Sequence, residues 1–142
     1  MNATSAATAS AVTFVWLGMV LAISFLEAPL KFRAPGVSVR IGLGIGRLVF
    51  RALNIVECVL ATAVVVAVAA GDAPARIVGW TVAAVVLLVG QLAVFRPRLN
   101  RRSDRVLAGE DLPRSRGHLF YVAFEAAKVV GLLGLGVTLL TL

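Results

Sequence analysis

Charge is scarce in this chain, and the places where it is missing are informative. Of 142 residues only 15% are Asp, Glu, Lys or Arg, while 60% are hydrophobic, and mean hydropathy is +0.96. A soluble domain is about 25% charged and about 45–50% apolar. The first 26 residues carry no charged side chain at all. A water-soluble fold would have to gather several long Ala/Val/Leu runs into one small core, so the bilayer is the more economical solvent. A single cysteine, Cys58, excludes an internal disulfide framework and a multi-cysteine metal site. A single histidine, His118, excludes a haem held by two histidines, and no Glu-x-x-His pair is present for a carboxylate-bridged metal centre. No Ser/His/Asp arrangement stands out, and no cofactor is expected. The opening "MNATSAATAS" lacks the basic stretch of a cleaved signal peptide and reads as a short mature tail.

What is present is four apolar segments, over about 11–30, 48–70, 77–95 and 118–142. Each approaches or exceeds the roughly 20 residues that cross the hydrocarbon core as a helix. Lipid offers no partner for unpaired backbone groups, which favours α-helix despite the many valines. The expected fold is therefore all-α, one four-helix membrane domain built from two helical hairpins. "AAGDAPAR" (69–76) supplies a tight turn between the second and third segments. Twelve of the fourteen basic residues lie in or beside two connections, 31–47 and 96–117. Lys and Arg favour the cytoplasmic side, so both connections are expected there, with both termini outside a bacterial inner membrane. No nucleic-acid motif accompanies the arginines; the expected partners are anionic lipid headgroups and, through Gly131, Gly134 and Gly136, a second copy of the chain. "GVSVRIGLGIGR" (36–47) has alternate glycines without the strand or fingerprint of a phosphate loop, and reads as a flexible or re-entrant connection. "FRALNIVECVL" and "HLFYVAFEAAKVV" align Glu57 with Glu125, a weak internal duplication.

Depth singles out the polar residues inside the spans. Glu27 lies six residues before Arg33, Gln91 five before Arg96, Glu57 six after Arg51 and Glu125 seven after His118. At about 1.5 Å per residue all four fall roughly 8–10 Å inside the basic boundary, which predicts one polar layer. Helical spacing places His118, Tyr121, Glu125 and Lys128 on one stripe of the fourth helix. Arg47, Phe50, Asn54 and Glu57 form a second stripe, and Ser24, Glu27 and Lys31 a third. A charge at the centre of a membrane helix costs roughly 2.5–3.5 kcal/mol, so these groups are expected to face one another. Three carboxylates to one buried lysine leave negative charge over, to be met by Arg47, Arg51 or His118 reaching in, or by a proton on one glutamate. Trp16, Trp80 and Tyr121 read as interface anchors.

"WLGMVLAISFLEAPLKFRAP", "FRPRLNRR" and "HLFYVAFEAAKVVGLL" resemble uncharacterised bacterial four-helix membrane proteins, which are loosely similar to the family of eukaryotic transmembrane protein 205. The resemblance implies four transmembrane helices and an integral membrane location, without a settled activity. Glu27 departs from the apolar residue expected at its position. The residues support a small transporter or channel-like protein, with Glu27, Glu57 and Glu125 as proton or cation sites and Lys128 and Arg47 as modulating partners. The alternative is a non-transporting accessory or scaffold subunit that holds a partner or anionic lipid on its basic loops.

Overall fold

In a computed structural model the chain is a bundle of four long helices; residues 1–110 and 116–142 are described, without the side chains of Phe95 and residues 116–118. The first helix starts at Ala3, because Asn2 caps it: its Oδ1 accepts the Ser5 backbone N–H at 2.8 Å. The opening residues are thus helical rather than a tail. The helix runs as α over Ala3–Val20, widens to π over Leu21–Glu27, and closes with one α turn, Ala28–Lys31. The third helix repeats this plan with α over Ala75–Gly90, π over Gln91–Phe95 and α over Arg96–Leu107.

Both π segments end two residues before a proline, Pro29 and Pro97. A helical proline has no N–H to donate and its ring pushes against the carbonyl four residues back, here Phe25 and Ala93. Wider i→i−5 bonds just upstream relieve that crowding: the Ala28 N–H bonds to the Ile23 carbonyl and the Arg96 N–H to the Gln91 carbonyl.

The second helix spans Val39–Ala70 and the fourth Arg116–Leu140. The second begins nine residues ahead of the apolar run that announced it, so most of "GVSVRIGLGIGR" is helix and not a flexible or re-entrant connection. The cause is local. Ser38 Oγ accepts the Ile41 N–H at 3.2 Å, and Gly42 leaves room for the Phe32 ring to lie against the helix. The basic connections are correspondingly shorter than 31–47 and 96–117, since the third helix carries its arginines on to Leu107. Residues 111–115 of the second connection lie outside the described residues.

Between the second and third helices the turn is tight, with Asp72 at φ 50° and Pro74 leading into Ala75. The two helices it joins nevertheless pack poorly against each other. The first helix packs chiefly on the second and fourth, and the fourth on the first and third. The bundle order is second, first, fourth, third, with a seam between second and third. Trp16, Val20, Val64, Ile77, Ala84, Leu132 and Leu135 form the core, and Leu26, Leu48, Val66 and Leu119 are among many apolar side chains on the outer surface. All four helices are long and apolar enough to cross a membrane, which makes this outward apolar surface the lipid-facing one and the chain a small membrane protein.

Candidate functional site: a buried charge cluster

Each helix sends one buried stripe inward. Thr13, Trp16 and Val20 come from the first, Leu53, Glu57, Ala61 and Val64 from the second. The third contributes Ala84, Leu88 and Gln91, the fourth Tyr121, Glu125, Lys128 and Leu132. The stripes meet at Lys128, whose side chain is fully buried. Its Nζ lies 2.6 Å from Glu57 Oε1 and 2.8 Å from Glu125 Oε1, and donates to Gln91 Oε1 at 2.7 Å. Gln91 Nε2 in turn donates to Glu125 Oε2 at 3.0 Å, and Trp16 Nε1 donates to Glu57 Oε1 at 2.9 Å. An ammonium has three donors and no acceptor, and here it faces three acceptor groups from three helices.

Two carboxylate oxygens of the cluster accept no hydrogen bond: Glu125 Oε1, which faces Lys128 Nζ at 2.8 Å, and one oxygen of Glu57. Glu57 Oε2 is buried without a hydrogen-bond partner. With both carboxylates ionised the cluster has two negative charges against one positive, and neither Arg47 nor Arg51 reaches it. An isolated charge at membrane depth is costly. The cluster becomes neutral on gaining a single positive charge, and the free oxygen of Glu57 keeps its lone pairs unengaged by any donor among the described residues.

On the basic side of the cluster lies an aromatic and cationic layer. Tyr121 OH accepts from Arg96 Nη2 at 2.5 Å, and the guanidinium stands 4.5 Å from the Tyr121 ring centre and 4.7 Å from that of Phe50. The two rings meet edge to face, 6.2 Å apart. Lys31 Nζ stands 5.5 Å from the Phe50 ring centre and pairs with Glu27 at 3.7 Å.

Of the residues singled out by sequence, Glu57, Gln91, Glu125 and Lys128 come together. Tyr121 stands one helical turn away, bonded to Arg96. Glu27 pairs with Lys31 and stays outside the cluster. Asn54 is turned toward the seam, where Arg47 pairs with Asp104. The His118 side chain lies outside the described residues. Two members were not anticipated. Trp16 is a fully buried donor and not an interface anchor, because it sits mid-span: thirteen residues past Ala3, or about 20 Å along the axis. Arg96 reads in sequence as one more topology charge, and its position one turn beyond Gln91 was the only signal that it could reach inward. Trp80 is partly exposed, as an anchor should be, but its ring also covers Gly134.

No family model matches the chain, and no curated protein or solved structure matches it either.

Proposed function

We propose that this four-helix membrane protein binds and exchanges one proton at Glu57 and Glu125, and that this exchange carries protons, alone or coupled to a small solute, across the bilayer. One observation carries the reading: two buried carboxylates share a single lysine, and one oxygen of Glu57 has no partner. A structural ion pair needs no second acid. A proton also suits a close-packed site, since it requires no room, whereas a hydrated cation does. Gln91 suits the exchange because its amide bridges both states, accepting from Lys128 while donating to Glu125. With Lys and Arg favouring the cytoplasm, the end that carries Arg47, Arg96 and Arg105 faces inward and both termini lie outside.

The test is proton flux into proteoliposomes loaded with a pH-sensitive dye and driven by a potassium diffusion potential. The native protein should acidify the lumen, and Glu57→Gln and Glu125→Gln should abolish the signal while helicity and elution volume stay native. A native protein that moves no protons overturns the reading, as does undiminished flux in both variants.

A further inference from the structure

The seam between the second and third helices holds a cleft of ≈ 810 Å³ at the basic end of the bundle. Arg47, Arg51 and Arg96 line it together with Asn54 and Asn100, and deeper in the seam Leu48, Ile55, Cys58 and Leu92 take over. No acid is among these lining residues, and Asp104 beside them is paired with Arg47. Arg51 has no hydrogen bond or ion pair among the described residues, and the buried Nε of Arg96 has no hydrogen-bond partner. The top of the cleft is closed by two ties between the helix extensions, the Arg47–Asp104 pair and Arg40 donating to the Leu107 carbonyl at 2.6 Å. Its side is open to the bilayer, where Leu48 is 72% and Ile55 59% exposed. Toward the 71–76 turn the same seam continues as an apolar groove of ≈ 430 Å³ lined by Val65, Val68, Val78, Val82 and Val85.

We infer that this seam is a binding site for one anionic phospholipid, its phosphate held by Arg51 and Arg96 and its acyl chain laid along the groove between the second and third helices. A cationic pocket without acids selects a phosphate, and guanidinium matches phosphate geometry with paired donors. The volume falls in the range of about 300–1,000 Å³ usual for small-molecule sites. Basic pockets between membrane helices hold acidic headgroups by this chemistry. The lateral opening and the apolar floor favour a lipid over a soluble phosphate, which would leave Leu48, Ile55 and Leu92 uncovered. The inference stands apart from the proton site, because none of Glu57, Gln91, Glu125 and Lys128 lines the cleft, and Arg96 bonds Tyr121 one turn away from Glu125.

The only cysteine of the chain, Cys58, is exposed and lines the cleft, so the full-length protein can be labelled there with an environment-sensitive dye without engineering. Phosphatidylglycerol titrated in detergent should give a saturable emission shift that phosphatidylcholine does not. Arg51→Gln, which breaks no hydrogen bond or ion pair among the described residues, should weaken the binding about fivefold, the contribution of one basic residue at an acidic headgroup. Arg98→Gln, exposed on the same helix as Arg96 but outside the cleft, and Glu57→Gln should leave it unchanged. Native mass spectrometry of unlabelled protein, counting retained phosphatidylglycerol, checks that the dye itself does not fill the site. Equal response to the two lipids overturns the inference, as does an Arg98→Gln effect as large as that of Arg51→Gln. Saturation by glycerol phosphate as strong as by the lipid would assign the cleft to a soluble phosphate and remove the lipid.

Discussion

At Lys128 a full positive charge is held in the apolar interior by two carboxylates and an amide oxygen, and each partner depends on the others. Removing one member of a buried pair leaves an uncompensated charge, which costs about 3–5 kcal/mol. Lys128→Met should therefore lower the melting temperature of the detergent-solubilised protein sharply, by an amount that adding Glu57→Gln partly restores. If the double variant melts no higher than the single one, charge compensation is not what Lys128 provides. Trp16→Phe keeps an aromatic ring but removes the donor to Glu57 together with part of the indole's volume. Hydrogen bonds to charged groups contribute about 1.5–3 kcal/mol, so a loss of that order in unfolding free energy is expected, and Glu57→Gln should shrink the loss. Glu57, Gln91 and Glu125 were legible because burying them anywhere but against a partner is costly and because their depths agree, and Lys128 because it shares a helix stripe with Glu125. Trp16 was not, since an indole suits both a membrane interface and a buried hydrogen bond. Glu27 shows the limit of depth as a guide: it lies at the right level but on the wrong side of its helix, where it meets Lys31.

Helix by helix, the prolines and glycines decide what the apolar residues leave open. The π segments ahead of Pro29 and Pro97 change the angle at which everything upstream faces the bundle, and Gln91 stands at the start of one of them. Pro97→Ala allows the backbone to return to α geometry, which turns Gln91 relative to Arg96. The expected outcome is slower amide exchange over residues 91–96, as regular i→i−4 bonds replace the wider ones. Unchanged exchange would mean that packing, not the proline, holds the π form. Gly134 lies under Trp80, and a Cβ there would come within 2.8 Å of the ring, whereas Gly18 has open space around it. Gly134→Ala should destabilise the protein by about 1–3 kcal/mol through overpacking, while Gly18→Ala should be neutral or stabilise it by up to about 1 kcal/mol. Comparing the two melting temperatures checks the pair. Spans were legible from hydropathy, but the helical extensions Val39–Arg47 and Arg96–Leu107 were not, because arginine and glycine there look like loop residues until a cap such as Ser38 and a neighbour such as Phe32 are in place.

For the molecule as a whole the open seam matters most. Sequence neighbours joined by a tight turn would be expected to pack along their length, yet the second and third helices part and leave an apolar groove beside the turn and a cleft at the arginines. In the proposed orientation this cleft opens into the cytoplasmic leaflet. A cysteine placed at Arg105 in a Cys58→Ser background should react with a membrane-impermeant maleimide in inverted vesicles and stay protected in intact cells. The reverse pattern would turn the bundle over.

The chain's order alone determined that it is a four-helix membrane protein with Glu57, Gln91, Glu125 and Lys128 in its interior, because the cost of exposing backbone or charge to lipid leaves few alternatives. Only the tertiary structure decided which of the acids share the lysine, that Trp16 joins them, and that Arg51 and Arg96 border an open seam. Those facts depend on the rotation of each helix about its own axis, which the π segments and the side chains across each interface set together, and which no count along one strand of sequence contains.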